Sequence, residues 1–257
     1  MNINFLNVDW PAPECIFAGI TTRQGGKSTA PYDSFNLASH VGDDISDVVS
    51  NRNLLVSELE LPHEPEWLDQ VHGTTVINYT DVNSNDMLSS ENEKYCADAV
   101  ISFEINKICA VLTADCLPLL ITDTIGSRVA AIHAGWRGLR DGIIEKTLSR
   151  LNCSPEKLLV WIGPAISRAA FEVENKLRDE FVRLEVAAEF AFTQSRPGHW
   201  KMDLALLARQ RLNSCGINNN AIFGGKYCSY LDKELFYSYR RENITGRMAS
   251  LIYIRNN

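Results

Sequence analysis

The sequence predicts an α+β fold in one domain, with mixed sheets and helices on the outside. Three observations carry that expectation. Short apolar runs bounded by Gly, Pro or polar clusters recur along the chain and read as strands. Between them lie segments whose apolar residues repeat at helical spacing. No internal repeat, low-complexity tract or shift in composition marks a boundary, so residues 1–257 are expected to form a single domain.

In order, Ile16 to Thr21 (IFAGIT) is a buried strand that runs into Thr22-Arg23-Gln24-Gly25-Gly26-Lys27-Ser28. The paired glycines permit unusual backbone angles and two basic residues flank them. This loop is a surface turn or an anion cradle, and it lacks the spacing of a P-loop. Asn36, between Phe35 and Leu37, reads as a polar group at a buried edge. Ile45 to Leu59 is a helix, with Val48, Val49, Leu55 and Leu59 on one face and Asp43, Asp44 and Asp47 near its positive end. Trp67 to Gly73 reads as a strand meeting a turn, Thr74 to Tyr79 as another strand, and Asp81 to Lys94 as an exposed acidic loop. Strands follow over Ala97 to Phe103, Ile108 to Ala114, Leu117 to Thr122 and Val129 to Ala134. A helix opens near Arg137, with helical spacing from Leu139 to Leu151, and Leu158 to Ile162 returns to strand. Glu174 to Val186 and Met202 to Asn213 read as helices with a loop, Gln194 to Trp200, between them. Ala221 to Phe223, Glu234 to Tyr239 and Met248 to Ile254 read as strands, the last pairing into a sheet.

Hydrophobic residues make up 45% and charged residues 22%, as in ordinary soluble proteins. The formal charge of -7 argues against general nucleic-acid binding, which needs a basic face. It leaves room for a small anion in a local basic pocket. The seven cysteines are odd in number and irregularly spaced, and no disulfide framework is expected. No basic-then-apolar leader and no run of about 20 apolar residues is present. A reduced cytoplasm is the expected location, with no membrane and no nucleic-acid partner.

The chemistry concentrates where apolar runs end. Gln70-Val71-His72-Gly73, Asp115-Cys116-Leu117-Pro118 and His133-Ala134-Gly135-Trp136-Arg137-Gly138 each put a reactive side chain beside Gly or Pro. We expect His72, Cys116 and His133 to meet around one metal ion, because a thiolate and two imidazoles leave an open position of the kind catalytic zinc uses. The competing reading is that Cys116 is a small buried hydrophobe and the histidines are satisfied polar groups. Asp115 is expected to fix its loop or move a proton. Trp136 is a core or rim residue, or a stacking face. Arg137 and Arg140 open a helix and suit a phosphate or carboxylate, or are ordinary surface arginines. Arg240, Arg241 and Arg247 form a salt-bridged edge or an anion-binding wall. A different chemistry uses Cys116 as nucleophile, His133 as base and Asp115 or His72 as assistant.

WLDQVHG, TADCLPLLI, AAIHAGWRGL, WIGPAIS and FYSYRRENITGRMASLI, in this order and supported by TTRQGGKS and SFNLASHVGDD, closely resemble the YfiH-like family. It is also called the laccase-domain, or multicopper polyphenol oxidase-like, family. The resemblance runs from about Trp10 to Ile254. It implies four layers, α/β/β/α, with the sheets face to face. It also implies a metal site, zinc with copper as the alternative, whose ligands fall on His72, Cys116 and His133. The implied chemistry is purine nucleoside phosphorolysis: adenosine or inosine plus phosphate gives free base and ribose 1-phosphate. Methylthioadenosine phosphorolysis and adenosine deamination attach to the same family. On that basis the partners are a purine nucleoside and phosphate, the phosphate candidates are Arg137, Arg23 and Arg240, and a monomer is expected. Copper-dependent phenol oxidation by a true multicopper centre needs many histidines, and the chain has five: His40, His63, His72, His133 and His199. A cysteine hydrolase acting on a peptidoglycan precursor is the other family-linked alternative.

Overall fold

Thirteen strands and six α-helices form within residues 3–79 and 95–256, the part of the chain that the computed structural model describes. The strands are β1 (Phe5–Asn7), β2 (Ile16–Thr21), β3 (Val76–Asn78), β4 (Ala99–Ser102), β5 (Cys109–Thr113), β6 (Leu117–Asp123) and β7 (Val129–Ala134). They continue with β8 (Leu158–Ile162), β9 (Glu172–Glu174), β10 (Phe192–Arg196), β11 (His199–Met202), β12 (Ile222–Gly224) and β13 (Met248–Ile254). The helices are α1 (Ile45–Glu58), α2 (Trp136–Asp141), α3 (Ile143–Leu151), α4 (Asn175–Leu184), α5 (Leu204–Ser214) and α6 (Tyr239–Glu242).

One sheet has the order β1-β2-β13-β5 and is antiparallel throughout. The second, β12-β8-β6-β7-β4-β3, is antiparallel in its middle and parallel at both edges. A small antiparallel sheet, β10-β11-β9, lies apart from them in pairing. The alternation of side chains along each strand sorts the core into three clusters. Ala18, Ile20, Cys109, Val111, Met248 and Ile252 face Val100, Leu120, Ala131 and Trp161 across the space between the two large sheets. Ala110, Leu112, Leu251 and Tyr253 point the other way, toward Leu55 of α1. Leu119, Ile121, Ile132 and Val160 leave the second sheet on its outer face and pack against Ile143, Ile144 and Leu207 of α3 and α5. The result is a four-layer α/β/β/α sandwich in a single α+β domain. Both faces of both large sheets are covered over most of their area, which is why β4 to β8 read as unbroken apolar runs.

Several elements differ from expectation. The helix expected from Leu139 to Leu151 is two helices. Gly142 takes φ 93°, caps α2 through its N–H to the Gly138 carbonyl, and restarts the chain as α3. Val49 is exposed on α1 while Val48 and Leu55 are buried, so the apolar face is narrower than the sequence suggested. Gln194 to Trp200 is a hairpin of β10 and β11; its outward residues are polar because they face water, and Gly198 turns it at φ 76°. Glu234 to Tyr239 is not a strand. Phe236 and Tyr237 are fully buried there without a ladder partner, and the Tyr237 hydroxyl donates to the Tyr32 carbonyl at 2.6 Å. Trp67 to Gly73 holds only an isolated bridge, Asp69 to Cys96. The acidic segment Asp81 to Lys94 lies outside the described residues.

Candidate active site

The site forms where the chain passes from one large sheet to the other. β5 belongs to the first sheet and β6 to the second, and Ala114-Asp115-Cys116 makes the crossing. Asp115 sits there at φ 90°, a conformation that costs a non-glycine residue free energy. Its surroundings over-determine it. One carboxylate oxygen accepts from the Ser229 hydroxyl and the other from the Arg240 backbone N–H, both at 2.6 Å, and its carbonyl accepts from the Ile166 N–H at 3.0 Å. Asp115 therefore fixes its loop, with each carboxylate oxygen accepting one hydrogen bond, and it also lines the cavity described below.

Cys116 leads into β6 and His133 lies near the end of β7. Because Leu117 pairs with Ala134 and Pro118 with His133, the two side chains meet at the end of that ladder. His72 comes from the loop before β3, at φ 60°. The ligand-capable atoms of His72, Cys116 and His133 all lie within 4.8 Å of one another, with 3.7 Å from Cys116 Sγ to His72 Nε2. The space is kept open by Gly135. A Cβ there would stand 2.9 Å from His72 Cδ2 and 3.1 Å from Cys116 Sγ. Two imidazoles, one thiolate and a glycine-lined gap fit a metal ion with an open coordination position.

Asp98, just before β4, joins two of these pieces. It is fully buried. One oxygen accepts from the His72 N–H at 2.9 Å and from His133 Nδ1 at 2.8 Å; the other accepts from the Gly73 N–H at 2.6 Å and the Val71 N–H at 3.3 Å. The left-handed turn at His72 is thus held by the same carboxylate that fixes the His133 ring. With Nδ1–H donated to Asp98, Nε2 of His133 is the atom left for a metal. Burial alone pushes the Asp98 carboxyl up, but the His133 imidazole and the turn amides more than offset it and keep it low. Burial likewise pushes the Cys116 thiol up, yet the His133 and His72 imidazoles bring it down to about 6. Burial pushes His133 down, while Cys116 and Asp98 raise it to about 9. The site thus favours a thiolate beside an imidazolium, and a metal bound there would displace that proton.

Sequence reasoning did not single out Asp98. The signal was present: an acid inside the apolar run ADAVISF. Gln70 is structural, since its amide donates to and accepts from the Leu112 backbone at 2.8 and 2.7 Å, in the place of a missing strand.

These residues open into a cavity of about 450 Å³, within the range of small-molecule sites. Trp136, Phe171, Tyr239 and His40 line it. Arg137, Arg240 and Arg247 also line it. Arg137 is exposed, stacks on Trp136 at 4.3 Å, and has no carboxylate partner among the described residues. Arg240 lies over Phe171 at 5.0 Å, with Nη1 donating to the Glu172 carbonyl at 3.2 Å. Arg23 is not in this cavity. It pairs with Asp33 and Glu242, and its Nε donates to the Asp33 carbonyl in a separate hollow, so the structure does not bring it together with the other two phosphate candidates. Arg140 is held by Asp141 and Glu180 at 2.6 Å. Arg241 spends its donors on the Ser229, Tyr230 and Phe236 carbonyls. Of the five histidines, His63 and His199 bond backbone carbonyls away from the site.

Residues 17–255 match the family described as multi-copper polyphenol oxidoreductase laccase. A Haemophilus influenzae protein named purine nucleoside phosphorylase is 45% identical over 250 residues, 96% of this chain and 98% of that protein. The Escherichia coli protein named purine nucleoside phosphorylase YfiH is 44% identical over 248 residues, 95% of this chain and 96% of that protein. A crystal structure from Neisseria meningitidis superimposes with a TM-score of 0.90 at 40% identity, over 98% of this chain and all of that one.

Proposed function

The chain belongs to the multi-copper polyphenol oxidoreductase laccase family, and we propose that it is a zinc-dependent purine nucleoside phosphorylase. It takes adenosine, inosine or methylthioadenosine with phosphate, and deaminates adenosine as a second activity. The observation that carries this reading is the His72–Cys116–His133 group at one side of a cavity lined by guanidinia that have no acid partner among the described residues. The names of the relatives support it.

Phosphorolysis forms a C1′–O bond to phosphate and breaks the C1′–N bond to the purine, and the departing base gains a proton. Arg137 is the first phosphate candidate, because it lines the cavity with no acid partner among the described residues; Arg240 is the second. The aromatic faces of Trp136, Phe171 and Tyr239 keep water from the purine and offer it stacking. Asp98 holds His133 in the tautomer that a metal needs. A metal held by His72, Cys116 and His133 supplies Lewis-acid polarisation when bound, for phosphorolysis and deamination alike. All seven cysteines are free thiols, which suits the reducing cytoplasm proposed here. No described helix is long and apolar enough to cross a membrane.

The test is product analysis of the zinc-loaded protein with adenosine, with and without phosphate. Adenine and ribose 1-phosphate are expected only with phosphate, and inosine with or without it. Absence of all three products sinks the reading. Arg137→Ala is expected to raise the phosphate KM; an unchanged KM and turnover would remove Arg137 from its role.

A second reading has its own observation. Cys116, His133 and Asp98 also stand in the order nucleophile, base and orienting acid, with Asp98 where Asp115 or His72 had been expected to assist. A cysteine hydrolase of a peptidoglycan precursor would be inactivated stoichiometrically by alkylation and untouched by chelation. Copper oxidation of phenols in the manner of true multicopper oxidases is disfavoured. The described residues bring three His and Cys ligands together in one group, and that is too few for several copper centres.

A further inference from the structure

Arginines elsewhere in the fold are commonly paired with acids: Arg23 with Asp33 and Glu242, Arg140 with Asp141 and Glu180, Arg211 with Glu145. The three that line the cavity have no carboxylate within ion-pair distance among the described residues. Arg247 differs from the other two, because it is half-buried while Arg137 and Arg240 are exposed. Its side chain is also aimed. Nη1 donates to the Thr245 carbonyl at 2.7 Å and to the Gly246 carbonyl at 3.0 Å. Its backbone N–H donates to Asn36 Oδ1 at 2.9 Å. Asn36 is itself fully buried and bonded to Ala38 and Asp43, so the polar group at a buried edge that the SFN segment contains serves to seat Arg247. Nε and Nη2 make no hydrogen bond to any described residue.

The negative groups that lie near Arg247 are Asp115 and Cys116. Each oxygen of Asp115 already accepts one hydrogen bond, from Ser229 and from Arg240, and neither forms an ion pair with Arg247; Cys116 belongs to the metal group. Arginine does not lose its proton in proteins. The Nε and Nη2 donors of Arg247 thus have no acceptor among the described residues, and Arg247 borders a cavity open to solutes. We propose that Arg247 is the main anchor of the phosphate, a guanidinium whose counter-charge arrives with the substrate. Its planar fork matches a phosphate through two parallel N–H···O bonds, and three guanidinia around one cavity favour a dianion over a carboxylate. This assignment rests on the phosphorylase reading and supplies a stronger phosphate residue than Arg137 or Arg240.

The experiment is calorimetric titration of inorganic phosphate into the zinc-loaded wild type, Arg247→Ala and Arg247→Gln. Metal content, melting temperature and the KM for nucleoside are followed in parallel. Both variants are expected to bind phosphate at least about tenfold more weakly, the loss of a charge-assisted hydrogen bond. Metal content and nucleoside KM stay at the wild-type level, which a general structural defect would not leave untouched. Arg247→Gln keeps an amide for the Thr245 and Gly246 carbonyls, so it decides the matter if Arg247→Ala does not fold. A folded variant with wild-type phosphate affinity overturns the assignment and leaves the phosphorylase reading standing. A wild type with neither phosphate affinity nor phosphate-dependent cleavage overturns both.

Discussion

The Asp98 carboxylate, with no solvent exposure, accepts four hydrogen bonds, from three consecutive amides of the His72 turn and from the His133 ring. Removing that carboxylate leaves those donors unpaired and lets both imidazoles rotate. Asp98→Ala is expected to weaken zinc binding about 10- to 100-fold, read by competition with a chelator. Unchanged affinity in the folded variant would mean the turn is held by other contacts. Cys116→Ala is expected to lose both metal and turnover; an active, metal-free variant would exclude the constellation. Gly135→Ala places a methyl against His72 and Cys116, so it should lower metal content with little change in melting temperature. Retention of full metal content would show that the gap is not needed. His72, Cys116 and His133 were legible because each ends an apolar run beside Gly or Pro. Asp98 was passed over although it interrupts the apolar run ADAVISF, because the run does not show which donors the acid meets.

At the scale of elements, the clearest departure is the break between α2 and α3. An apolar pattern of period 3.6 runs through it, so the spacing alone predicts one helix. Gly142 interrupts it by taking a left-handed φ that other residues adopt at a cost of about 1–2 kcal/mol. Gly142→Ala is expected to destabilise the protein by about that amount in urea unfolding; a neutral result would show that the chain can run on as a single helix. The break lets α2 sit across the His72 turn, where a Cβ on Gly138 would come within 2.8 Å of the Gly73 carbonyl. That placement brings Trp136 and Arg137 to the cavity. The hairpin of β10 and β11 was missed for the opposite reason. A solvent-facing ladder satisfies its backbone without an apolar pattern.

For the whole molecule, the space between the two large sheets carries the packing that positions the crossing at Asp115. Leu120 is fully buried there. Leu120→Ala is expected to cost about 2–5 kcal/mol of stability, measured by denaturant unfolding, while metal content per folded molecule holds. Loss of metal in the folded fraction would mean that the sheet packing tunes the site directly. The sequence by itself determined the strands and helices whose pattern is set by burial: β2, β7, β8 and β13 have the bounds that their apolar runs predict. It also marked the three ligand candidates, since reactive side chains at the ends of apolar runs are visible without a fold. Only the tertiary structure decided which charges are spent and which are free. Arg23, Arg140 and Arg241 look like Arg137, Arg240 and Arg247 in sequence, but the first three pair with acids, while the other three line the cavity with no acid within ion-pair distance among the described residues. Charge pairing depends on distances between segments far apart in the chain, and no local pattern of residues encodes those distances.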